Sequence, residues 1–291
     1  MKELVKKILV NLIYYSGLPV LAREIFQRKK VTILVMHDPD AAVAATYFEW
    51  LGQHYRVVSL DDYLEARRLD DMNRLPQKAM IITLDDGHLG NYGLLPLIRK
   101  YRIPVTVFLC SGIVDTNRHF WFRHNGISRS SDSLKVIPDQ ARLKILSESG
   151  FFPDKEFEYP HALSGSQIRE MKEFISFQAH TVFHPCLPRC SDEAAQQEIE
   201  QCRNQLHENF GLSVHSLAYP NGDYTEREIR LARQAGYGCA LTVSHGYNDG
   251  KTNLYKLRRL SVSDKDSPKL LAVKASGIWA WLKHVKTKLK I

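Results

Sequence analysis

Five side chains in three short stretches are of types that hold a metal or move a proton. They are Asp85 and Asp86 in Thr83-Leu84-Asp85-Asp86-Gly87, His180 and His184 in His180-Thr181-Val182-Phe183-His184-Pro185, and His37 after Val35-Met36. Adjacent carboxylates repel, so a buried pair needs a cation or a proton between them. A metal supplies the first and general-base chemistry uses the second. Two histidines four apart, joined by one carboxylate, make a three-ligand facial set that leaves positions open for water and substrate. A metal so held polarises a carbonyl and acidifies its water, and the second carboxylate is then free to take that water's proton. Asp-Gly alone is ordinary turn chemistry, and a lone histidine is usually a packed residue. The joint presence of the stretches carries the reading.

Each stretch follows an apolar, β-branched run, which reads as a buried strand ending in polar residues. Strands are predicted over 31–36, 56–59, 79–84, 104–109, 175–179, 214–219, 239–243 and 256–262. Helical stretches alternate with them over 41–54, 61–68, 92–101, 164–173, 192–210 and 225–235. A strand–helix alternation implies a parallel sheet, and seven or eight such strands bury their ends best by closing into an α/β barrel. His37, Asp85-Asp86, His180 and Tyr219-Pro220-Asn221 then all fall at the C-terminal ends of strands. That is the face on which such barrels assemble sites. The alternation breaks over about 111–163, an insertion with aromatics beside arginines and histidines and one predicted helix over 138–149.

The 291 residues are 44% hydrophobic and 25% charged, enough for one sizeable core, and a single barrel domain over 31–265 is expected. Net charge is +8, and much of the excess sits at the ends, in Lys2, Lys6, Lys7, Arg28, Lys29 and Lys30 and in Lys283, Lys286, Lys288 and Lys290. This distribution favours an anionic surface near the termini over a nucleic-acid groove. Residues 1–30 read as a short amphipathic helix ending near Ser16-Gly17, packed on the barrel or lying on a membrane surface. Residues 266–291 read as a basic helix carrying Trp279 and Trp281. Five cysteines, an odd number, argue for reduced thiols, with Cys186 and Cys190 read as packing. Together with an N-terminus that is a poor signal peptide, they lead to an expected place in the cytoplasm, peripheral to the inner membrane. Neither a Gly-x-Ser-x-Gly elbow nor a phosphate-cradling glycine loop is present.

Taken in order, Thr-Leu-Asp-Asp-Gly, His-Thr-x-x-His-Pro and Ala218-Tyr219-Pro220-x-Gly222 resemble the motifs of the polysaccharide deacetylases, carbohydrate esterase family 4. Val35-Met36-His37 and Arg258-Arg259-Leu260-Ser261-Val262 are similar too, so the likeness runs over about 31–262. It implies a distorted (β/α)7-8 barrel that removes acetyl groups from N-acetylhexosamine units of a polysaccharide or lipid-linked saccharide. The implied cofactor is a divalent metal, zinc foremost, with Co2+, Ni2+ or Mn2+ as alternatives. Residue by residue, the resemblance implies Asp85 as general base, Asp86 as carboxylate ligand, and His180 and His184 as imidazole ligands. The backbone N–H of Tyr219 resembles the oxyanion donor and Thr181 a brace of the ligand loop. Many members carry an arginine in the third motif that orients the catalytic aspartate; here Leu217-Ala218 stands there, and Arg259 is the expected substitute. His37 rather than His245 is the expected general acid. Removal of an O-acetyl group and a silent saccharide-binding barrel are the alternatives, and the complete Asp85, Asp86, His180 and His184 set favours an enzyme.

Overall fold

The computed structural model describes residues 2–127 and 129–288; Lys290 of the basic C-terminal run lies outside them. Eight strands are β1 Thr32–Met36, β2 Arg56–Val57, β3 Ala79–Leu84, β4 Val105–Leu109, β5 Ile175–Ala179, β6 Ser216–Ala218, β7 Cys239–Leu241 and β8 Leu260–Ser261. They form one parallel sheet in the order β7-β6-β5-β4-β3-β1-β8, with β2 paired to β3 off that path. The order follows from right-handed strand–helix–strand crossovers, each laying the next strand beside the last. Leu257 bonds to β7 through Thr242 N–H and Ala240 C=O, and three residues later β8 pairs with β1. One short crossing segment therefore links the two ends of the sheet and curls it toward closure. For that reason the seven residues expected as a last strand split, Leu257 pairing with β7 and Leu260–Ser261 with β1.

Strand alternation sorts the core. Ile33, Ile81, Phe108, Ala218, Leu241 and Leu257 fill the barrel, while Leu34, Met36, Ile82, Leu84 and Val107 pack outward under helices. The helices are α1 Lys2–Tyr15, α2 Leu18–Leu21, α3 Ala41–His54, α4 Leu60–Arg68, α5 Leu95–Tyr101, α6 Ser131–Lys135, α7 Asp139–Glu148, α8 Gly165–Met171, α9 Asp192–Phe210, α10 Glu226–Gln234, α11 Pro268–Ala275 and α12 Ile278–Lys288. Ser59, Ser164 and Thr225 close capping boxes with Asp62, Gln167 and Glu228, so α4, α8 and α10 start where side chains satisfy their first N–H groups.

Two helices differ from expectation for local reasons. A continuous helix over 92–101 would put Pro96 in its interior, against the Tyr92 carbonyl; instead Leu89–Leu94 is a 3-10 turn, and α5 starts with Pro96 in its first turn. The C-terminal helix breaks into α11 and α12 at Gly277, whose φ of 76° is left-handed and which a Cβ would drive within 2.5 Å of the Tyr247 hydroxyl. The insertion over 111–163 holds α6 and α7 and packs a small core of Trp121, Leu134, Leu146 and Phe151 onto Cys186 of the turn after β5.

Candidate metal centre and active site

The site is built outward from the end of β3. Alternation places Ile81, Thr83 and Asp85 on the inner face, so Asp85 points into the barrel mouth. The chain must then leave the sheet sharply, and Asp86 and Gly87 both do so at φ 74°. A Cβ on Gly87 would stand 2.5 Å from Leu109 Cδ2, so the position requires glycine.

Asp85 is buried and meets Arg259 side by side: Nη1 donates to Oδ1 at 2.7 Å and Nη2 to Oδ2 at 2.8 Å. The guanidinium is itself held, with Nε donating to the Thr242 carbonyl at 2.8 Å and Nη1 to Thr83 Oγ1 at 3.2 Å. Burial works to raise the Asp85 carboxyl, but the charges of Arg259, His180 and His37 outweigh it and hold the group below the usual carboxylate range.

The imidazoles come from the turn after β5. His180 shares its Nδ1 with the Ala218 carbonyl at 2.8 Å; that oxygen can only accept, so Nδ1 carries a proton and, in the neutral imidazole, Nε2 presents a lone pair. Thr181 and His184 both take left-handed φ, 67° and 56°, and the His184 N–H donates to Thr181 Oγ1 at 3.2 Å. Non-glycine residues hold such conformations, at about 1–3 kcal/mol each, only where surroundings enforce them. Here Glu198 enforces them: its Oε2 accepts from the N–H groups of Val182 and Phe183 at 2.8 and 2.9 Å. Trp121 Nε1 donates to the His184 carbonyl at 2.8 Å from the far side.

These turns bring His180 Nε2 to 3.3 Å and His184 Nε2 to 3.4 Å from Asp86 Oδ1, all three side chains being buried. Yet Asp86 Oδ1 has no hydrogen-bond donor. Three buried lone-pair atoms converging without a proton between them fit a cation. Burial pushes the His184 imidazole down to about 3, which keeps it neutral as a ligand must be. Burial acts the same way on His180, but the Asp85 and Asp86 charges raise it on balance. Asp86 is held well below the usual range, since the three surrounding imidazoles of His180, His88 and His184 outweigh its burial.

One member of the site is not among the residues singled out from the sequence. His88 is buried, its Nε2 lies 2.9 Å from Asp86 Oδ2, and its ring stands edge-on to Phe120 at 4.7 Å. It fixes the carboxylate oxygen that faces away from His180 and His184. Its place immediately after Asp-Asp-Gly was the only available signal. The insertion walls the same mouth: Phe122 packs edge-on to His184 at 4.8 Å, and Arg123 pairs with Asp38 at 3.2 Å.

The assignment of an oxyanion donor to the Tyr219 backbone requires correction. Its N–H donates to the Leu241 carbonyl at 3.0 Å as the last rung between β6 and β7, and its hydroxyl donates to the Tyr255 carbonyl. The group is therefore already engaged, because strand bonding to β7 runs through Tyr219, the last residue of the strand expected over 214–219. His37 is exposed at the end of β1, its carbonyl accepting from Asn91 Nδ2 at 2.8 Å and its N–H donating to Asp264. His245 instead lines a groove on the outer wall with Leu260 and Trp281. Cys186 and Cys190 are buried and free, and neither belongs to a three-ligand cluster among the described residues.

The arrangement can be set beside known proteins. Residues 72–240 match the sequence profile described as polysaccharide deacetylase, which is more than half of the chain. YxkH of Bacillus subtilis (strain 168), a protein named for the same family, is 23% identical over 189 residues, covering 64% of this chain and 52% of that one. The poly-β-1,6-N-acetyl-D-glucosamine N-deacetylase of Staphylococcus epidermidis is 21% identical over 74% of this chain and 65% of its own length. The chain thus spans about half to two thirds of these curated relatives. Among solved structures, the Streptococcus pyogenes deacetylase PplD superposes with a TM-score of 0.62 at 20% identity, over 84% of this chain and 98% of that one. IcaB from Ammonifex degensii gives 0.61 at 20% identity, over 85% and 97%. The curled parallel sheet is thus shared in fold, and the family profile covers more than half of the sequence, from before β3 into β7: the chain belongs to the polysaccharide deacetylase family.

Proposed function

We propose that this chain hydrolyses the N-acetyl group of N-acetylhexosamine units in a polysaccharide or lipid-linked saccharide, with a divalent cation held by Asp86, His180 and His184. One observation carries the reading: a buried carboxylate oxygen without a donor faces two imidazole nitrogens, beside a second carboxylate clamped by arginine. The names of the staphylococcal relatives support the substrate class.

A bound cation supplies Lewis acidity toward the acetyl oxygen and toward water. Zinc suits two imidazoles and a carboxylate, and Co2+, Ni2+ or Mn2+ fit the same set. Asp85 acts as the base. Arg259 occupies one lone pair on each of its oxygens, so the carboxylate keeps one fixed orientation and a second lone pair free to receive the water's proton. Water adds to the acetyl carbon, the carbon–nitrogen bond breaks, and the nitrogen leaves as an amine once protonated. His37, exposed at the mouth and near enough to bias Asp85, donates that proton, leaving acetate and the free amine. Arg259 serves as the positioning residue of the base, and Thr181 and Glu198 keep the imidazole turn in its strained form.

The test is acetate release from β-1,6- and β-1,4-linked N-acetylglucosamine oligomers by purified protein, before and after chelation and zinc reloading. Release that follows zinc content supports the proposal. Equal turnover of chelated protein, or release from O-acetylated sugars only, refutes it.

A further inference from the structure

The charge of this chain is divided unevenly. Residues 1–30 carry seven Lys or Arg against two acidic residues, and residues 266–291 carry six against one. The barrel between them is left slightly acidic, so the whole net positive charge belongs to the two terminal segments. Those segments also carry most of the exposed apolar side chains. Leu4, Val5, Ile8, Leu9, Leu12 and Tyr15 of α1 are all exposed, Leu12 at 65% and Tyr15 at 72%. At 3.6 residues per turn they share one arc of the helix, and the buried Val10 and Ile13, which face the protein, lie on the opposite side. Beyond Gly17 the surface continues through Leu18, Val20, Leu21, Ile25 and Phe26. Trp281 of α12 adds to it, 63% exposed.

Between α2 and α12 lies a groove of about 930 Å3 lined by Leu18, Leu21, Phe26, Ile278 and Trp281, with Lys30 among its few polar residues. Lys7, Arg28 and Lys29 are exposed beside this surface, while Lys6, exposed as well, lies on the side of α1 away from the apolar arc. Exposed apolar side chains in this number, gathered on neighbouring segments, mark an interaction site. A second copy of the chain fits it poorly, because a two-fold interface would set this cationic patch against itself. A spanning segment fits poorly as well: no helix among the described residues is long and apolar enough to cross a membrane, and the pair Glu3–Tyr15 and Leu18–Phe26, adequate by length and composition, is bent by 55°.

We propose that α1, the segment through Phe26 and Trp281 of α12 seat the protein on the face of a bilayer containing anionic phospholipid. The apolar arc of α1 lies at the boundary between headgroups and acyl chains, the lysines and arginines contact lipid phosphates, and one acyl chain enters the groove. This surface stands apart from the metal centre, so it is tested without an activity assay.

The test is sedimentation of the full chain with vesicles, one third phosphatidylglycerol in phosphatidylcholine or phosphatidylcholine alone. The protein is expected to pellet with anionic vesicles and to be released by high salt. Lys7→Gln and Lys30→Gln should each weaken binding about fivefold. Ile8→Glu with Leu12→Glu should abolish it at unchanged melting temperature, since both side chains are exposed. Chain-brominated lipid should quench a component of tryptophan fluorescence that Trp281→Phe removes. Three results overturn the proposal: protein in the supernatant at low salt, binding insensitive to the Ile8 and Leu12 changes, or a dimer in vesicle-free solution that those changes dissolve. Retention in native membranes through an alkaline wash overturns it too, in favour of a spanning segment.

Discussion

Arg259 and Asp85 meet through two parallel hydrogen bonds of 2.7 and 2.8 Å inside the barrel, though 174 residues separate them in the chain. Planar guanidinium and planar carboxylate match at both ends, which a lysine cannot reproduce. Arg259→Lys should therefore fold and bind metal but lose orientation of the base, with the acid limb of its pH–rate profile moved upward as Asp85 loses part of its stabilising charge. Arg259→Met should cost about 3–5 kcal/mol of stability by stranding a buried carboxylate. An acid limb unchanged in the lysine variant would refute the positioning role.

Asp85→Asn should retain metal and fold, at a lowered melting temperature because the buried Arg259 loses its counter-charge, while turnover falls roughly a hundredfold or more, because an amide cannot accept the proton. Acetate release measured beside metal content decides this. Near wild-type turnover rules Asp85 out as the base.

His180→Ala and His184→Ala should each lose most of the bound metal, since either leaves two ligands where three converge. Emission spectroscopy of protein reloaded with zinc measures it directly. Unchanged metal content in both variants would overturn the ligand set.

His88→Ala should weaken metal affinity about 10–100-fold without removing any ligand, because Asp86 Oδ2 loses the partner that holds its plane. Competition with a chromophoric chelator reports the affinity. His88→Gln, which can still donate to Oδ2, should recover part of the loss; equal affinity in all three proteins would deny His88 this task.

Glu198 provides a pH prediction. Burial raises its carboxyl from 4.5 to about 7 despite the N–H groups of Val182 and Phe183. A carboxyl raised in the folded state binds its proton more tightly there than in the unfolded chain. Its contribution is full below pH 4.5, is lost as pH rises to about 7, and is then constant. The change is on the order of 3 kcal/mol. Glu198→Gln, neutral throughout, should flatten this part of the stability curve in denaturant titrations at pH 5 and pH 7.5. An identical slope in both proteins would show that Glu198 does not titrate in this range.

Much of the fold and part of the site were legible in the order of residues. Apolar runs that end in Asp85-Asp86 and His180 mark buried strands whose C-terminal ends carry chemistry, and local rules suffice for that, since strand alternation and capping act over a few residues. The helix expected over 192–210 is found over the same residues, with Ser191 as its N-cap and Gly211 in left-handed backbone at its end. What required the tertiary structure lies outside local range. That Arg259 reaches Asp85 depends on the crossing segment before β8, which brings the last strand beside β1 and curls the sheet toward closure. That the Tyr219 N–H is engaged depends on β7, its partner in the ladder. His88 and Glu198 gained their places because turns at Asp86, Thr181 and His184 take left-handed backbone that sequence periodicity does not encode and that only packing can enforce. Local order thus determined which residues could do chemistry, while sheet closure and strained turns decided which of their atoms face one another.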